Sequence, residues 1–278
     1  MRGTASIDVT LLPGAQALLE VHARELPQRD DLCGAFCGAL ALSAAGLGAQ
    51  ADGEPLDQDA VALAAGSVVS GAREPGTLPD GEQGRRDYRL AIPTIADSVV
   101  SGTTAAGVAS AIEQLSGAKL AAIPYSGPWT EATLAGLFDL CAGLPHPVTL
   151  VANLATRHLW GSRASLAQLL GHLLTGEPQG PPPDWDVGHF ACILGCVQGP
   201  AGRLYAGADT YPALGSRGVH MQPQERLAAA IDRRDMPAGG VLVVAFVQDA
   251  AVVRAGAGAL GLQESIWDNG TVARGVLA

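Results

Sequence analysis

QRDDLCGAFCGALAL, residues 28–42, sets two cysteines four positions apart in an uncharged run directly after Asp30 and Asp31. Four readings compete for it: a catalytic nucleophile, a pair of metal ligands, a membrane span, or a plain core helix. The membrane reading is the weakest. Leu32 to Ala51 is twenty residues without a charge, nominally enough to cross a bilayer at about 20 residues. That run holds four glycines, two cysteines and a glutamine, and many of its apolar residues are alanines. A buried central helix running into a loop fits it better.

Composition narrows the rest. The chain of 278 residues is 48% hydrophobic but only 4% aromatic, so Ala, Leu and Val must fill a large core. With 27 acidic against 17 basic residues the net charge is −10. No basic patch for nucleic acid or an anionic membrane is expected, and the balance favours a small or basic substrate. Five cysteines, an odd number, do not make a disulfide-stapled secreted scaffold. MRGTASIDVTLLPG at the N-terminus has no long apolar segment after its arginine. A reducing cytoplasm is the expected location.

Periodicity predicts helices at residues 13–25, 33–46, 57–65 and 102–117, the last capped by Thr103 or Thr104 and ended by Gly117. Residues 73–89 are charged and rich in turn formers, a solvent loop. Short strands at KLAAIP and PVTLVAN alternate with helices at TEATLAGLFDLC and RASLAQLLGHLL. After the proline-rich GEPQGPPPDWD, strands are expected at HFACILGCV, RLYAGAD and GVLVVAFV, with a helix at PQERLAAAIDRR. The expected architecture is α+β in a single domain, helix-rich over about 1–176 and sheet-rich over about 186–250. A tail is expected over 251–278.

Cys33 follows a proline-containing loop and opens a helix, where the positive end of the macrodipole favours a thiolate. Against that stands the ordinary use of free cysteine as a small buried hydrophobe. A thiolate needs a base. His189 begins an apolar strand whose alternation puts Ala191, Ile193 and Gly195 on its own face, and Phe190, Cys192, Leu194 and Cys196 on the other. Asp209 ends the next strand, and a hairpin would set it beside His189 to orient the imidazole.

The two segments together resemble papain-like cysteine peptidases. The closest variety is the bacterial double-glycine leader peptidase family, whose nucleophile segment reads glutamine, a short gap, D-C-G-x-x-C and an apolar helix. GHFACILGC, a strand and ADTYP are similar to that family's G-H-F-V-V-L-x-G-Y, strand and A-D-P. The resemblance implies Cys33 as nucleophile, His189 as base, Asp209 as its orienter, and Gln28 as an oxyanion donor beside the Cys33 N–H. It covers two islands of about 15 and 25 residues. Leu32 stands where an acid or asparagine usually precedes the cysteine, Gln28 lies five residues before it rather than six, and Thr210 replaces a proline. The transporter and nucleotide-binding domains of that family have no counterpart, so leader export does not follow.

Other constellations are weaker. Cys33-x3-Cys37 with Cys192-x3-Cys196 has a permissible zinc spacing, but the strand places Cys192 and Cys196 opposite His189 in apolar surroundings, as core residues. GAGALG, 256–261, lacks the long helix and later acid of a dinucleotide site, and reads as a flexible glycine loop. His158 lacks an evident acid partner and is expected at a loop or cleft rim; His22, His146, His172 and His220 are expected at the surface or as caps. Trp185 is expected beside the cleft.

The resemblance thus implies a papain-like domain, helical part against antiparallel sheet, with the site in the cleft between them. The implied function is a thiol peptidase or amidase acting through an acyl-thioenzyme on a peptide, amide or acyl-carrier-type substrate. An amide-forming acyltransferase and a non-catalytic binding module are the alternatives. No cofactor, nucleic acid or membrane is implied.

Overall fold

In a computed structural model, residues 6–50, 52–71 and 78–271 are described. The chain opens with β1 (Asp8–Leu11), α1 (Ala15–Glu25), α2 (Cys33–Ala44) and α3 (Gln58–Ala64). The short strands β2 (Val69–Ser70) and β3 (Thr94–Ile95) precede α4 (Ala105–Leu115). Next come β4 (Leu120–Ser126), α5 (Glu131–Ala142), β5 (Val148–Ala155) and α6 (Leu166–Thr175). The last third holds β6 (Gly188–Gln198), β7 (Arg203–Ala208), β8 (Val219–Pro223), α7 (Gln224–Asp232), β9 (Gly240–Phe246), α8 (Ala250–Ala259) and β10 (Gln263–Glu264).

One large antiparallel sheet organises the molecule, in the order β10-β4-β9-β5-β6-β7-β8 with β1 on β6. Its central strands are continuous apolar runs, which suits a sheet covered on both faces. Leu120, Ala122, Val151, Phe190, Cys192, Leu242 and Val244 face α1 to α4. Ala121, Ile123, Leu150, Ala152, Ile193, Val241 and Val243 face α5, α7 and α8. The result is three layers, helix on sheet on helix.

That layering corrects the expected split at about 176. β4 and β5 come from the part read as helix-rich, yet they flank β9 at the centre of the sheet. Non-local pairing of this kind leaves no local signature. The region read as a tail, with its glycine loop, also differs. GAGALG begins inside α8, which buries Val253 and Ala257, and Trp267 packs into the core beyond it. Packing overrides the low helix propensity of Gly256 and Gly258. The part of the 73–89 loop up to residue 77 lies outside the described residues.

The uncharged run that opened the question resolves into α2 and a loop. Ten of the twelve residues of α2 are buried, so the helix is apolar all round because every side is covered. Gly34 and Gly38 let Val108, Phe190 and Val61 approach, since a Cβ at either glycine would sit within about 3 Å of them. Among the described residues no helix is long and apolar enough to cross a membrane.

Candidate active site

Cys33 is the first residue of α2 and only partly buried. Leu32 at the N-cap is wholly buried and offers no side-chain cap, so the positive end of α2 is left open beside the thiol. Asp30 and Asp31 are staples of the entering loop. Asp30 accepts from the Arg85 N–H at 2.8 Å, and Asp31, at φ 64°, accepts from the Ser70 N–H at 2.6 Å. Burial pushes the Asp31 carboxyl up, only partly offset by that bond.

The β6–β7 hairpin does what its sequence suggests. Cys192 pairs with Ala208, so Asp209 follows β7 close to His189 near the start of β6. The imidazole Nε2 and Asp209 Oδ1 are 2.9 Å apart, each side chain 2% exposed. Cys33 lines the same cleft as His189. With Nε2 committed to Asp209, Nδ1 is the nitrogen left for the thiol. Burial disfavours the imidazolium, but the Asp209 charge and hydrogen bond, and then Cys33, outweigh it and carry His189 up to about 10. Burial likewise disfavours the carboxylate of Asp209, yet His189 and His220 hold it well below the usual carboxylate range.

Gln28, in the loop after Pro27, is fixed by its N–H bond to the Thr210 carbonyl at 2.9 Å. Its side chain lines the cleft and is buried, and Oε1 has no hydrogen-bond partner among the described residues. A buried amide oxygen without a partner carries a cost unless a donor from a ligand completes it. The five-residue offset therefore still delivers Gln28 to the cleft that holds Cys33 and His189. That cleft encloses about 500 Å³, with Trp185 and Tyr211 in its wall. The Trp185 ring meets His189 edge-on at 5.0 Å and Tyr211 at 5.6 Å.

Four residues of the site escaped the sequence reading. His22 and His220, expected at the surface, are buried around Asp209: His22 donates to its carbonyl at 2.6 Å and His220 Nε2 meets Oδ2 at 3.1 Å. Asn153 on β5 donates to the His189 carbonyl at 3.2 Å, and its Oδ1 accepts from Trp267 and Arg233. Arg233 follows α7 at φ 46° and lines the cleft. Such positions lack a local signal; only the fold gathers them.

The rivals fall away on position. His172 is buried as well, but against the Glu177 carbonyl. His158 does have an acid, Asp235 at 3.2 Å, in an exposed cluster with Arg157. Burial, and then Cys192, push the Cys37 thiol well up, which keeps it protonated. A bulge between Ile193 and Gly195 shifts the register of β6, so Cys196 faces the α5 side and Cys192 the α2 side. The expected shared face of those two cysteines is therefore corrected. Among the described residues no group of three His, Cys, Asp or Glu is disposed to hold a metal ion.

A protein-family model, that of a family of unknown function (DUF6885), matches residues 12–268. The chain belongs to DUF6885. The match takes in Gln28, Cys33, His189, Asp209 and Arg233, together with every element from α1 to β10. No curated protein matches the sequence.

Proposed function

We propose that this DUF6885 chain is a papain-like thiol enzyme, a cysteine peptidase or amidase working through an acyl-thioenzyme. The observation that carries the reading is that one cleft is lined by Cys33, by His189 held against Asp209 at 2.9 Å, and by Gln28. Cys33 Sγ, as thiolate, attacks the carbonyl carbon, and the oxyanion is held by the Cys33 N–H and the Gln28 amide. Each such donor is worth about 2.7–4 kcal/mol in acyl-transfer enzymes. Imidazolium His189 gives its proton to the leaving amine; the neutral ring then takes one from water, whose oxygen attacks the thioester and frees Cys33. Asp209 stays ionised throughout and holds the ring's orientation and charge. A cytoplasmic setting belongs to the same reading, and rests on cysteine usage.

The test is alkylation with iodoacetamide against pH, with the labelled cysteine mapped by mass spectrometry. Cys33 is expected to react at pH 6, below the ordinary thiol pKa of about 8.5. In a His189→Ala variant that reaction should slow by about 10²–10⁴-fold, the range of a lost acid–base partner. Labelling of Cys33 only on unfolding would end the proposal and return α2 to the status of a core helix.

A further inference from the structure

The cleft contains a buried cation that has no carboxylate partner among the described residues. Arg233 is 2% exposed, and burial pushes its guanidinium down, offset only in part by Cys33. The contrast is Arg29, also buried, whose guanidinium meets Asp59 at 3.1 Å. A buried arginine cannot shed its charge, and an unpaired one is expensive to hold.

Its donors are divided in a telling way. Nη1 is tied to Asn153 Oδ1, which also accepts from Trp267 and so fixes the guanidinium plane. Among the described residues Nε has no partner, and Nη2 lies over Gly188, where an added Cβ would come within 2.9 Å of it. The Nε–Nη2 edge, two parallel N–H donors, is therefore uncommitted. That edge matches the two oxygens of a carboxylate. Gly188 directly precedes His189 in β6, so the edge sits beside the reacting pair.

We propose that Arg233 is the seat of a substrate carboxylate, so that the substrates are peptides or amides bearing a free carboxylate next to the bond that Cys33 attacks. This rests on the thiol-enzyme reading. The net charge of −10 does not oppose it, since exposed charges are screened beyond about 8 Å at physiological salt whereas Arg233 acts from within the wall. The acidic composition that favoured a basic substrate is outweighed locally.

Two measurements test it, one independent of thiol chemistry. In thermal unfolding at constant ionic strength, millimolar N-acetylglycylglycine should raise the melting temperature of the wild type by about 2 °C. Its C-terminal amide should not, and neither should give a rise in Arg233→Gln. In alkylation at pH 6, the iodoacetate-to-iodoacetamide rate ratio at Cys33 should exceed that of glutathione by about tenfold. The ratio should fall to the glutathione value in Arg233→Gln, with Arg233→Lys between. Equal shifts from acid and amide, a shift from inorganic phosphate alone, or one rate ratio for wild type and both variants would each overturn the carboxylate seat. Should Arg233→Gln fail to fold, the acid-against-amide comparison on the wild type still decides. If Cys33 resists iodoacetamide while the acid alone shifts the melt, the seat stands and the thiol-enzyme reading is what falls.

Discussion

The two halves of the central sheet share one antiparallel ladder but bury different things. Between β4 and β9, from Leu120↔Phe246 to Tyr125↔Val241, the buried side chains are almost all apolar, with α5 and α8 on one face and α4 on the other. Across β6, β7 and β8 the same kind of ladder buries His189, Asp209, His220 and Gln222, each held by polar partners. Apolar burial stabilises on its own, whereas a buried polar group must find partners to offset its desolvation. The polar half is where the molecule departs from what folding alone asks for.

The sharpest way to break that contrast is a pair of variants. Asp209→Ala removes an acid from between two histidines and should cost about 3–5 kcal/mol, as when one partner of a buried pair is lost. It should also abolish Cys33 labelling at pH 6. Leu242→Ala, at a fully buried site in β9, should cost about 2–5 kcal/mol through cavity formation and leave labelling alone. Urea unfolding and alkylation of both variants read the difference. If Leu242→Ala also quenches labelling, the halves are not separable and the thiol's reactivity reflects general packing.

The pH dependence of stability sharpens the same point. His189 is raised from 6.5 to about 10 by folding, so its contribution is complete below pH 6.5 and disappears as the pH climbs towards 10. Asp209 is lowered from 3.8, so its contribution is present above that value and lost on acidification. The pair titrates as a unit, with greatest stability between these limits. Urea midpoints should therefore decline from pH 6.5 to 10 in the wild type and much less in His189→Gln. Equal declines in both would place the alkaline loss elsewhere.

Legibility in the sequence follows the same division. Cys33 could be read because a helix start is local, and His189 with Asp209 because a hairpin is nearly so. Gln28 followed from motif resemblance, and the fold brings it to the cleft despite its offset. Arg233 could not be read, since its DRRD surroundings look like a solvated helix end while Asn153 from β5, itself held by Trp267 from beyond β10, fixes its guanidinium. β4 and β5 were seen as strands, but their place around β9 is set by pairing across about a hundred residues. One extra residue in β6 moved Cys196 to the opposite face, since a bulge shifts every later side chain.

The smallest effect separates the roles of the two histidines on Asp209. Gln222 is locked by the Trp160 backbone, its Oε1 accepting from the N–H and its Nε2 donating to the carbonyl, both at 2.8 Å. The remaining Nε2 hydrogen points to His220 Nδ1 at 3.0 Å, so that nitrogen accepts and the ring hydrogen belongs on Nε2, aimed at Asp209 Oδ2. His220 thus holds Asp209 through Oδ2, while His189, at Oδ1, supplies the larger effect by charge and hydrogen bond together. His220→Leu should cost about 1–3 kcal/mol, the penalty for leaving buried polar groups unpaired. Because one of the bonds that keep Asp209 ionised is gone, the acid limb of Cys33 labelling should move to higher pH. His220→Gln, which restores an N–H at similar reach, should recover most of both effects. A Leu variant with the wild-type pH profile would reduce His220 to a space-filling residue, and Asp209 would then depend on His189 and the Thr210 N–H alone.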